Sequence, residues 1–164
     1  MTRERRADIV VLGGSRFETS TGTGRSLVFG DQIGENEQSP VEIIVAALAA
    51  CSAMDVASIA TKKRQAIERY EVHAVGDQRD AYPQVLTEVT VTHEVWGPDL
   101  SEAAIRRSIE LSATKYCPVS AMVSAGVTVV HHRYRIHASG AAPFEAEGLV
   151  ISTGPYRRPE IVAE

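Results

Sequence analysis

Hydrophobic and polar residues alternate along three stretches of this chain and follow a helical repeat along two others, and the order of these stretches predicts most of the architecture. The opening runs, Ala7 to Leu12, Arg16 to Thr19 and Arg25 to Phe29, are short and β-prone. Gly, Thr and Ser turns separate them, which predicts an antiparallel meander. A polar loop, Gly30 to Gln38, follows. Ser39-Pro40 then supplies a helix start, with Ser as N-cap and Pro at the first helical position. From Val41 to about Ala66 the sequence has no Gly or Pro and is rich in Ala. The first half of this helix is apolar on every side (Ile43, Ile44, Val45, Leu48), which predicts burial on every side.

Tyr70 to Asp80 and Val85 to Trp96 alternate in two runs around Ala81-Tyr82-Pro83 and predict a hairpin with one wet face. Pro98 to Glu102 starts a second helix, where Asp99 and Glu102 have capping-box spacing. That helix carries Ile105, Ile109 and Leu111 on one side and runs to near Lys115. Cys117-Pro118 opens a short helix to about Ala125, and Val127 to Ile136 alternates as a last strand. The expected organisation is one α+β domain over residues 1–137, with 138–164 a C-terminal tail carrying an added edge strand around Leu149-Val150-Ile151.

Composition narrows the function classes. A chain of 164 residues with 44% apolar and 23% charged residues is ordinary globular material of one-domain size. A net charge of -4 without a basic block removes the usual footprint for nucleic acid or an anionic membrane surface. The charged N-terminus and early glycines do not form a signal peptide. The longest unbroken apolar run, Ile43 to Cys51, falls short of the ~20 residues a membrane span needs. A soluble, cytoplasmic protein with neither nucleic-acid nor membrane partner is expected.

The chemistry concentrates on two cysteines. Cys51 and Cys117 lie far apart in the chain, and no CxxC or Cys/His cluster offers metal-ligand spacing. Each is either a small buried hydrophobe or a reactive thiol. Cys117, followed by Pro118, occupies a helix N-cap, a placement expected to lower a thiol pKa. A reactive thiol needs a proton acceptor or a cation, and the candidates are Glu42, Asp55, Arg16 and Arg25. Each also has a bland reading: Glu42 complements a helix dipole, Asp55 caps nothing in particular, and hairpin arginines are commonly solvated. The 5 histidines all fall on predicted strands without HxxxH spacing, so no metal is expected. GxGxxG, P-loop and GxSxG motifs are absent, and no cofactor is expected.

Two longer motifs carry a resemblance. Ser39-Pro40-Val41-Glu42-Ile43-Ile44-Val45-Ala46-Ala47-Leu48-Ala49-Ala50-Cys51-Ser52-Ala53-Met54-Asp55-Val56, followed by Leu111-Ser112-Ala113-Thr114-Lys115-Tyr116-Cys117-Pro118-Val119-Ser120, resembles the OsmC/Ohr superfamily over about residues 8–137. The Ser-Pro-x-Glu helix start, Met54-Asp55 and Lys115-Tyr116-Cys117 resemble its YhfA-type subgroup in particular. The resemblance implies an intertwined homodimer, antiparallel sheets wrapped around long central helices, and sites at the subunit interface. It implies thiol-dependent reduction of organic hydroperoxides, with Cys51 as attacking thiol, Cys117 as resolving thiol and an external dithiol of lipoyl type as reductant. The family's catalytic carboxylate stands ten positions before the first cysteine, where this chain has Val41 with Glu42 beside it, and its arginine lies in the N-terminal hairpin that holds Arg16 and Arg25. The alternative is a non-catalytic or redox-sensing dimer that binds a small apolar ligand.

Overall fold

The computed structural model describes residues 4–30 and 37–154. Most of the expected loop Gly30 to Gln38 and the last part of the expected tail lie outside these residues. The chain divides into two compact units, Met1–Ile44 and Val45–Glu164.

In the first unit, β1 (Ala7–Gly13), β2 (Arg16–Thr21) and β3 (Ser26–Phe29) pair antiparallel in that order, the expected meander. Gly13 and Gly14, at φ 127° and 58°, make the first turn in a region that side-chain-bearing residues avoid. Helix α1 (Pro40–Lys62) opens on a reciprocal cap. The Val41 amide donates to Ser39 Oγ at 3.3 Å, and the Ser39 amide donates to Glu42 Oε2 at 3.1 Å.

The helix stops four residues short of the expected Ala66 because Arg64 adopts a left-handed φ of 56° and the Gln65 amide turns back to the Ala60 carbonyl. Within the chain it buries only one stripe, Leu48, Ser52, Val56 and Ala60. Burial on every side is thus not met among the described residues, where Ile44 and Met54 stay 45% and 74% exposed. The unbroken run Ile43 to Cys51 also understated the segment's reach. The whole 23-residue helix is long and apolar enough to cross a membrane by length and composition, a test that core helices pass as well.

The second unit holds β4 (Arg69–Gln78), β5 (Leu86–Pro98), α2 (Glu102–Leu111), a π-helical turn (Ser112–Tyr116), α3 (Pro118–Val123), β6 (Val129–Ser139) and β7 (Phe144–Thr153). Its sheet runs β4-β5-β6-β7. The antiparallel expectation holds for β4–β5 and β6–β7, but β5 and β6 are parallel. The reason is connectivity: a helical crossover between two strands returns the chain in the same direction, which a tight hairpin cannot do.

The strand alternation predicted for β5 and β6 is met. Val89, Val91, His93 and Val95 on one strand, and Val130, His132, Tyr134 and Ile136 on the other, face inward. Val56 and Ala60 of α1 pack with Val95, Ile105, Ile109, Tyr134 and Ile136 in one cluster. Each fully buried aliphatic side chain there contributes roughly 1.5–3 kcal/mol. Helix α2 is capped by Ser101, whose side chain accepts from the Ala104 amide, and not by Asp99, which sits at φ 51° and donates its amide to Ser139. After Ala138 the chain forms the ten-residue edge strand β7.

Gly97 on β5 sits where the backbone of residues 66–68 passes overhead. A Cβ there would run into the Ala66 carbonyl oxygen and approach the Glu68 amide at 3.2 Å, neither of which can swing aside as a side chain would. Gly97→Ala is expected to destabilise the protein by about 2–3 kcal/mol, read as a lower urea midpoint with an unchanged slope. An unchanged midpoint would show that this crossing yields freely.

Candidate active site

Helix periodicity puts Cys51 and Asp55 one turn apart on the same face of α1. Cys117 reaches them from another element. It caps α3, where the Ser120 amide donates to its Sγ at 3.3 Å, and its own amide donates to the Ser112 carbonyl at 2.9 Å, the wider ring of the π-helical turn. The two sulfurs and a carboxylate oxygen of Asp55 all lie within 4.8 Å of one another. Both cysteines are free thiols; Cys51 is half-buried and Cys117 buried. The expectation that the N-cap position lowers the Cys117 pKa is overturned. Burial and the adjacent Cys51 push it up to about 12, against the smaller opposing effect of the Ser120 and Val119 amides. Helix α3 has only 6 residues and a correspondingly weak dipole, so desolvation wins.

Behind Asp55 runs a buried polar chain. The Tyr70 hydroxyl is 2.6 Å from His93 Nδ1, and His93 Nε2 is 3.3 Å from Ser52 Oγ. Ser52 Oγ is 3.3 Å from Ser112 Oγ, and the Ser112 hydroxyl donates to Asp55 Oδ2 at 3.1 Å. Burial, and secondarily His132, lowers the His93 pKa to about 3, and burial raises that of Tyr70.

His93 is therefore neutral, with one donor and one acceptor nitrogen. Assigned from these partners, the Tyr70 hydroxyl donates to Nδ1, Nε2–H donates to Ser52, Ser52 to Ser112, and Ser112 to the carboxylate. Every bond in the chain points at Asp55. His132, stacked 5.9 Å from His93, is likewise lowered to about 4 by burial and by His131. Its Nε2 lies 3.5 Å from Ser120 Oγ.

Of the residues singled out in the sequence, Cys51, Cys117 and Asp55 come together. Glu42 is engaged in the α1 cap, Arg16 pairs with Glu37, and the side chain of Arg25 is exposed; all three belong to the first unit. Ser52, Ser112 and Tyr70 were not among the candidate site residues, and His93 was read only as one of 5 strand histidines without metal-ligand spacing. A signal existed for His93 alone: it shares strand parity with Val89, Val91 and Val95, and a histidine on an otherwise aliphatic buried face needs polar company. A shallow cleft of about 570 Å³ lined by Glu68, Trp96, His137 and Phe144 contains neither thiol.

The family model described as OsmC-like protein matches residues 33–132. The protein YhfA of Escherichia coli K12 is 34% identical over 118 residues, covering 72% of this chain and 88% of YhfA. Among solved structures, a hypothetical protein from Aquifex aeolicus superposes with a TM-score of 0.74 at 23% identity, over 84% of this chain and 99% of that one. The organic hydroperoxide resistance protein OhrB of Bacillus subtilis superposes with a TM-score of 0.57 at 17% identity, over 80% of this chain and 98% of that one. These two likenesses are of fold.

The buried histidines predict how stability varies with pH. Both bind a proton less readily when folded, at about 3 and about 4, than the ordinary 6.5. The unfolded chain then takes up more protons below pH 6.5, and stability falls as pH drops from there toward 4. Urea unfolding is expected to give a stability roughly 2–4 kcal/mol lower at pH 5 than at pH 7. His93→Gln should lose about half of that slope, whatever its absolute stability. An identical slope in the variant would remove His93 from this role.

Proposed function

The chain belongs to the OsmC-like family, and from that premise we propose that it is a thiol-dependent peroxidase that reduces organic hydroperoxides in the cytoplasm, working as a homodimer. The observation that carries the reading is the convergence of two reduced thiols and one carboxylate within 4.8 Å.

In this reading Asp55 takes the part of the carboxylate missing at Val41. It accepts the Cys51 thiol proton, and the thiolate attacks the distal peroxide oxygen. The O–O bond breaks, the departing alkoxide takes the proton and leaves as alcohol, and Cys51 becomes a sulfenic acid. The Cys117 sulfur then attacks the sulfenic sulfur, water leaves, and a disulfide forms. An external dithiol restores both thiols by exchange.

The raised pKa of Cys117 supports this division of labour: a thiol kept protonated does not compete for peroxide and is consumed only once the sulfenic acid stands beside it. Ser112, fed by the Tyr70–His93–Ser52 chain, donates to Asp55 and orients its carboxylate. Arg16 and Arg25 are assigned no step, and Glu42 serves the helix cap. A second copy of the chain is the natural cover for the apolar residues that α1 and β1 leave exposed.

Consumption of cumene hydroperoxide with a dithiol reductant tests the reading. The native protein should consume it well above the buffer rate, and Cys51→Ser should fall to that rate. Cys117→Ser should retain a single rapid turnover of Cys51 and lose steady-state consumption. Asp55→Asn should lower the rate constant for Cys51 oxidation about 10²-fold or more. A native protein no faster than buffer, with both thiols titratable, would discard catalysis in favour of a ligand-binding or redox-sensing dimer.

A further inference from the structure

A second chemistry is open to the same three side chains while the thiols are reduced, and it does not depend on peroxide turnover. Two thiolates and a carboxylate are a donor set that suits zinc and related thiophilic divalent cations. With metal–sulfur bonds of about 2.3 Å, donors around a tetrahedral ion stand about 3.8 Å apart. Here the three donor atoms lie no more than 4.8 Å from one another. Closing them on an ion takes about 1 Å of side-chain movement, within the reach of ordinary χ adjustment.

The scaffold supports convergence in three ways. Cys51 and Asp55 have the i, i+4 spacing at which two side chains of one helix meet a single ion. Cys117 comes from a separate element whose backbone is fixed by the hydrogen bond its amide donates to the Ser112 carbonyl, so its direction does not depend on α1. The Ser112 hydroxyl, 3.1 Å from Asp55 Oδ2, orients the carboxylate as an outer partner orients a metal ligand, and Ser52 and His93 in turn orient Ser112.

We infer that reduced Cys51, Cys117 and Asp55 form a three-ligand site for a thiophilic divalent cation of the zinc class. On binding, two metal–sulfur bonds and one metal–oxygen bond form, the two thiol protons pass to solvent, and the sulfurs keep their oxidation state. The fourth position stays open to water or another small ligand. Joining the sulfurs in a disulfide removes both thiolates, so the site exists only in the reduced protein. An ion held there withholds the sulfurs from oxidants.

The test is titration of tag-free, fully reduced protein with Co²⁺ under anaerobic conditions, reading the sulfur-to-cobalt charge-transfer band and the visible bands of tetrahedral cobalt, followed by displacement with Zn²⁺. One ion per chain is expected by equilibrium dialysis. Cys51→Ser and Cys117→Ser should lose the charge-transfer intensity expected of two thiolates, Asp55→Asn should bind at least tenfold more weakly, and Ser112→Ala roughly tenfold more weakly. Diamide-oxidised native protein and native protein alkylated at Cys51 should show no band, which keeps the test independent of how the variants fold. No thiolate band in the reduced native protein, or binding undiminished by oxidation or alkylation, overturns the inference. Neither outcome requires peroxide, so failure here and failure of the peroxidase reading are read separately.

Discussion

Polar atoms withdrawn from water must find partners, and beneath α1 that demand ties three elements of the second unit into one arrangement. Ser52 on the helix, His93 on β5 and Ser112 at the start of the π-helical turn are each fully buried. Each satisfies the next, and the sequence of donors ends on the Asp55 carboxylate. Shifting α1 by a residue against the sheet would strand at least two of these groups without a partner, a loss of about 1–3 kcal/mol each. The chain thus acts as a register pin for the helix that carries Cys51, and the aliphatic cluster around Val56 and Ile109 supplies the driving force that the polar chain directs.

The same burial makes the two thiols unequal. Cys51 lies half-buried on a helix face, while Cys117 is only 3% exposed. Desolvation outweighs the backbone amides aimed at the Cys117 sulfur, and the neighbouring sulfur adds to it. A pair of chemically identical groups is in this way separated into one available to solvent and one held in reserve. Asp55 serves both the redox and the metal-binding readings because it is the carboxylate within reach of both sulfurs, anchored from behind.

Helix α1 shows how far a pattern carries. Its Ser39 start and most of its length follow from the residue order, because caps and helical repeats are local and each residue is judged against neighbours three or four positions away. The inward parity of β5 and β6 was legible for the same reason. Where the chain turned on a single backbone angle, as at Arg64 and Asp99, propensity pointed a few residues astray, since a left-handed φ in a non-glycine residue is imposed by the hydrogen bonds around it.

What the sequence determined by itself was therefore local and familial: the elements, the inward faces, the family, and the two cysteines as the residues to watch. What only the tertiary structure decided was proximity. The parallel pairing of β5 with β6, the meeting of Cys117 with Cys51 and Asp55, the recruitment of Ser52, Ser112, His93 and Tyr70, and the rise in the Cys117 pKa all depend on groups distant in the chain. Hydrogen bonding and desolvation act through space over a few ångströms, and a periodicity read along the backbone carries no record of which distant residue will occupy that space.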